Sequence, residues 1–333
     1  MSAKKHSRGG VIFGLIGSLV IFGFAGWLLL NRQYATDQVS VWAYNLPSSV
    51  EAIEERIDFS DKGTFYFYAT QPSVDSAEAF NRDCPRQETG SPILGCYSAG
   101  RIHIFDIQNQ QLDGIEEVTA AHEMLHAVWE RKSSDEQKKV GSLLRAEYAK
   151  LTDGELKERM DYYARTEPGE FENELHSILG TEYKGLGAEL ENYYGQFFDD
   201  RDKVLALHAK YDSVFKSLQA QSETLFEQLS TLGKSIETRS IQYNTDVSQL
   251  SSDIESFNGR ADRGEFSSMA QFYNERSVLI ARSNQLAADR DSINNDIANY
   301  NSLYEEYQSL SSEIEVLNDS IDSIKDLKPA PSL

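Results

Sequence analysis

From residue 199 to residue 326 the chain contains no proline and little glycine, and its apolar residues recur every three or four positions. One series runs Val204, Leu207, Tyr211, Val214, Leu218, Leu225 and, after a shift of phase, Leu229, Leu232, Ile236, Tyr243, Val247, Leu250, Ile254, Phe257. A second runs Ile293, Ile297, Tyr300, Tyr304, Tyr307, Ile314, Leu317, Ile321, Ile324. A stripe of this kind, kept up over several heptads, is buried by laying it against another helix. The turn-rich break lies at Asn258–Gly264. Two long helices around one loop predict an antiparallel coiled-coil hairpin over 199–326, each arm about 80 Å long at 1.5 Å per residue. Gln221, Gln228 and Ser235 weaken its seam. Such a hairpin serves as a spacer, as a dimerisation rod or as an arm that docks a protein partner.

Residues 31–198 read differently, as a small sheet followed by helices. Ser40–Tyr44 and the aromatic-rich Gly63–Thr70 have strand composition. Ile93–Tyr97 and Arg101–Ile107 flank Ser98-Ala99-Gly100, a hairpin loop. His103 alternates with Ile102 and Ile104 and reads as an ordinary strand residue. Helices are expected from about residue 114, with capping boxes at Ser133-Ser134-Asp135-Glu136 and Thr152-Asp153-Gly154-Glu155. This is an α+β plan large enough for one proper core.

The chemistry is concentrated in His122-Glu123-Met124-Leu125-His126. Val118, Ala121, Leu125, Val128 and Trp129 fall at helical spacing around it, with no Gly or Pro from 118 to 129. On a helix the two imidazoles lie one turn apart on the same face. They can share one metal ion, and nitrogens at about 2.0–2.1 Å suit zinc. Glu123 is then placed to take a proton from water. A zinc site open to substrate needs a third protein ligand. Glu174 is the leading candidate, on the shoulder of a helix whose apolar face is Phe171, Leu175, Ile178 and Leu179. Pro168-Gly169 is expected to open that helix and Gly180 to end it. His176 and Glu172 are rival ligands.

H-E-x-x-H followed by a helix bearing N-E-x-x-S resembles the gluzincin branch of the zinc metallopeptidases, over residues 95–195 at most. The resemblance implies a zincin-like catalytic domain with Zn2+ held by His122, His126 and Glu174, and with Glu123 as general base. It also implies a sheet edge beside the motif helix that helps to bind extended substrate. Two features depart from the family. Ile178 stands where the family has an Asp that orients the first His, and the gap between the two motifs is longer than in thermolysin. Tyr162, Tyr163, Tyr183, Tyr193 and Tyr194 are candidates to stabilise the oxyanion.

Val11–Leu30 is an uncharged apolar run after Lys4, Lys5 and Arg8. It is long enough for a transmembrane helix, with the basic side in the cytoplasm. The expected order is a cytoplasmic tail at 1–10, a membrane span at 11–30, the catalytic domain at 31–198, the hairpin at 199–326 and a disordered tail at 327–333. The bulk of the chain would lie at the cell surface or in a periplasm. Cys84 and Cys96, the only two cysteines, then read as a disulfide across a segment holding Pro85, Gly90, Pro92 and Gly95. A net charge of −21 argues against nucleic acid as a partner. The reading is a membrane-anchored, extracytoplasmic zinc peptidase acting on a peptide or protein substrate. The alternatives are a non-catalytic cell-envelope coiled-coil scaffold with a degenerate or structural metal site, and a cell-wall amide hydrolase.

Overall fold

A computed structural model describes residues 8–84 and 93–324, with side chains from Ile16 onward. The described chain is mostly helical, with one small three-stranded sheet and two long helices at its C-terminal end. It forms two compact units. One contains residues up to 214 together with those from 318 onward; the other is Phe215–Leu317.

The first unit opens with α1 (Arg8–Leu30) and α2 (Arg32–Ala43). Among the described residues no helix is long and apolar enough to cross a membrane. The side chains of 11–15, the first part of the expected span, lie outside those described. The expected tail at 1–10 lies outside them up to residue 7, as does the tail at 327–333.

Next come α3 (Ser48–Ile57), α4 (Asp61–Ala69), β1 (Ser73–Asp75), α5 (Ala77–Asp83), β2 (Gly95–Ser98) and β3 (Arg101–Phe105). Two expected strands are therefore helical. Ser40–Ala43 belongs to α2, which is tied down by the ion pair of Asp37 with Arg131 at 2.8 Å. Gly63–Ala69 belongs to α4. There the aromatic residues favour a strand locally, but Ser60 caps the helix by accepting from the Gly63 amide. Phe67 is then wholly buried against Phe59. Burial of one large ring outweighs a β preference whose whole range is about 1 kcal/mol.

The sheet has the order β1-β3-β2. β2 and β3 are antiparallel across a turn one residue shorter than expected: Ser98 pairs with Arg101 in the ladder, leaving Ala99 and Gly100, both with positive φ, in the turn. β1 runs parallel to β3 and is only three residues long, too short to show in the pattern. The segment 85–92 between the cysteines lies outside the described residues. The disulfide itself is formed, joining Cys84 to Cys96 with Cα atoms 5.9 Å apart.

α6 (Ile115–Glu130), α7 (Ser134–Tyr148), α8 (Gly154–Thr166), α9 (Phe171–Glu182) and α10 (Ala188–Tyr194) complete the head. Ser133 and Glu136 form the expected capping box of α7. α8 is instead capped by Asp153, which accepts from the Leu156 amide. Gly180 does not end α9; it lies inside it. A Cβ there would stand 2.4 Å from Leu125 Cδ1 and 2.7 Å from Tyr194 Cε1. The residue is thus a close-packing point at which α9 meets α6, not a stop signal.

α11 (Arg201–Asp262) and α12 (Met269–Ile321) carry the two periodic series. Val204 joins the core of the head, which extends past residue 198. In the second unit the helices pair antiparallel. Asp253 bonds Arg282 at 2.5 Å, and Arg239 bonds Ser292 at 2.8 Å. Phe257, Phe266 and Phe272 close the turn with ring centroids 5.2 Å apart. Leu229, Leu250 and Ile293 are buried in the seam.

Candidate metal centre

α6 is the central helix of the head. Its first turn carries Glu116 and Glu117, which suit the positive end of the helix dipole. Ala120, Ala121, Met124, Leu125 and Ala127 are completely buried. This packing fixes the helix and leaves His122 and His126 on its remaining face, ring centroids 4.8 Å apart.

α9 crosses that face and delivers Glu174 from its first turn. The carboxylate oxygens lie 3.7 Å from His122 Nε2 and 3.4 Å from His126 Nε2. One ligand atom from each of the three residues falls within 4.8 Å of the others. Burial works against the charge on Glu174, but the attraction of His126 and His122 prevails and holds its pKa below the usual carboxylate value. Burial also opposes the charged form of His122, and here Glu174 and Glu123 prevail and raise it. Two imidazoles and a carboxylate that converge in this way could hold a metal ion, and this donor set is one that zinc accepts. The residues fit the ion.

The rival ligands are elsewhere. His176 is wholly buried, between the rings of Trp129 and Tyr194, and bonds the Tyr193 hydroxyl at 2.7 Å. Burial keeps it neutral, well below its ordinary pKa. Glu172 accepts from Arg145 at 2.6 Å.

Sequence reasoning gave no role to Asn173. Its side-chain oxygen lies 2.9 Å from His126 Nδ1, and its amide nitrogen donates to Glu170 at 2.9 Å. Support of this kind fixes the tautomer and orientation of a ligand imidazole. The position of the family's orienting Asp is held by Ile178, which is buried in the core.

Glu123 is 7 % exposed, and burial raises its pKa despite His126 and His122 nearby. The backbone of Tyr97 on β2 acts against that rise by favouring the charged carboxylate. Of the five tyrosines, Tyr163 on α8 is the one whose hydroxyl feels the charges of both Glu174 and Glu123. Burial, followed by the charges of Glu174 and Glu123, pushes its hydroxyl pKa up. Tyr183 bonds Asp153 at 2.7 Å, and Tyr193 and Tyr194 bond the ring and the carbonyl of His176. Tyr162 packs edge-on against Tyr163.

Comparison of the chain with models of known protein families, with curated proteins and with solved structures finds no match in any of the three.

Proposed function

We propose that this chain is a membrane-anchored zinc hydrolase of amide bonds, acting outside the cytoplasm on a peptide or protein substrate. The observation that carries the reading is the convergence of His122, His126 and Glu174, with Glu123 one residue from the first of them. A zinc ion held there would polarise the substrate carbonyl and acidify a water molecule. The chain's own residues account for the rest. Glu123, buried and raised in pKa, takes the proton from the attacking water and returns it to the leaving amine. Asn173 keeps His126 in the tautomer that presents Nε2 to the metal. Tyr163, whose hydroxyl feels the charges of Glu174 and Glu123, would be the donor to the oxyanion.

The edge of the sheet supports the choice of substrate. The Phe105 amide bonds the Leu94 carbonyl, so Leu94, Cys96 and Ser98 turn their backbone groups toward β3. Gly95 and Tyr97 turn theirs away from β3, to the edge that pairs with no other strand among the described residues, and Gly95 lies against Glu123. An extended peptide added along that edge would bring its backbone past the metal ligands. The anchor at 11–30 is supported by the uncharged apolar run itself and by the helical backbone of α1.

Glu123→Gln in the full-length protein tests the reading. It should keep about one zinc per chain and lose roughly 10²–10⁴-fold in peptide hydrolysis. Turnover at the wild-type rate would exclude Glu123 as the base.

A further inference from the structure

Gly95, Cys96 and Tyr97 form the wall against which Glu123 rests. A Cβ at Gly95 would stand 3.0 Å from Glu123 Cγ, 3.1 Å from Glu123 Oε1 and 2.5 Å from Thr119 Cγ2. Any larger residue would push β2 and α6 apart or turn Glu123 away. Two residues on, the Tyr97 backbone is near enough to favour the charged carboxylate. Between them, Cys96 is bonded to Cys84.

β2 is an edge strand of four residues, and among the described strands it pairs with β3 alone. A short two-stranded ribbon is marginal by itself. The disulfide supplies a second tether, to the C-terminal end of α5. α5 is fixed in turn. Phe80 is wholly buried against Phe105 at 5.7 Å, and Asn81 bonds the Ser323 carbonyl at 2.9 Å and accepts from its hydroxyl at 3.1 Å. The strand beside Glu123 is therefore clamped from both sides, and the clamp closes on the residue between the two that touch Glu123.

We propose that Gly95 and the Cys84–Cys96 bridge are positioning residues for hydrolysis: they hold β2 at the distance at which its backbone abuts and orients the Glu123 side chain. This rests on the reading above, in which Glu123 is the base. A displacement of about 1 Å at a reacting group can cost about 10²-fold in rate without disturbing the rest of the site. The bridge would thus act on turnover separately from its contribution to stability.

The test uses the full-length chain in detergent, loaded with zinc, as wild type, Gly95→Ala, Cys84→Ser/Cys96→Ser and Glu123→Ala. Zinc content is measured, together with hydrogen exchange at the Tyr97 amide and kcat and KM on a fluorogenic peptide that the wild type cleaves. Gly95→Ala and the serine pair should both keep one zinc. Tyr97 exchange should accelerate about tenfold, toward the rate in Glu123→Ala, and kcat should fall at least about tenfold with KM nearly unchanged. Unchanged Tyr97 exchange and kcat in both variants would overturn the proposal. So would loss of zinc in step with activity, which would make β2 a structural element only. If Gly95→Ala does not fold, the serine pair decides. The hydrolase reading fails separately, through a fully active Glu123→Gln, and Tyr97 exchange reports on the strand without any substrate.

Discussion

Asn173 Oδ1 lies 2.9 Å from Nδ1 of His126. A carboxamide oxygen only accepts, so the imidazole donates there from Nδ1 and turns Nε2 toward Glu174, 3.4 Å away. The Asn173 amide nitrogen is held by Glu170, which fixes which end of the carboxamide meets the ring. One uncharged side chain thus fixes the orientation of a candidate ligand ring.

Asn173→Ala should weaken zinc binding about 10–100-fold while leaving the site able to bind. Competition against a fluorescent chelator measures this. Glu174→Ala should instead abolish stoichiometric binding, since it removes one of the three donors. Equal affinities for wild type and Asn173→Ala would show that His126 needs no support.

Tyr163→Phe removes one hydroxyl and keeps the ring packed. If that hydroxyl stabilises the oxyanion, kcat should fall about 10²-fold with KM and zinc content nearly unchanged. Retained kcat would move the role to another donor.

Gly180→Ala sets two effects against each other. Alanine in a helix interior gains about 0.5–1 kcal/mol over glycine. Overpacking costs about 1–3 kcal/mol, and here the new methyl would meet Leu125 and Tyr194 at the α6–α9 crossing. The clash should win, lowering Tm. Zinc affinity should fall with it, because α9 carries Glu174. A raised Tm would show that the crossing can open without cost.

Glu116 makes stability depend on pH in a definite direction. Burial, and then Asp106 and Glu117, push its pKa up to about 7, although it accepts from the Ile107 amide. The folded state therefore holds this proton more tightly than the unfolded state does. The cost of ionisation is absent below the unfolded pKa of 4.5, grows as pH rises and is complete above 7. Glu116→Gln should be more stable than wild type at pH 8, by about 1 kcal/mol once partial solvent screening is allowed for. It should be no more stable at pH 4. Thermal melts at the two pH values measure both.

The parts of this molecule legible in its sequence are those in which local pattern and tertiary demand agree. The His122–His126 spacing, the capping box at Ser133, the turn at Ala99-Gly100 and the long periodic arms are of this kind. Gly63–Ala69 misled because its aromatic rings satisfy a strand pattern and a buried helix face alike, and only the surface they meet decides. Gly180 misled because a glycine required by a neighbouring helix looks the same as one required by a helix end. Asn173 passed unnoticed because its partner is 47 residues away, with no periodicity to link them.

Ser323, near the end of the described chain, bonds Asn81 on α5, and residues from 318 onward belong to the same compact unit as the metal ligands. During synthesis the ribosome completes that unit last. Roughly 100 residues of hairpin are made first, and at 5–20 residues per second that takes on the order of ten seconds. Until then Asn81 lacks this partner, and α5 must hold the strand beside Glu123 without it. A chain not yet extended past residue 323 would therefore carry the candidate ligands without the full clamp, and the site would be completed only by the segment that follows the hairpin.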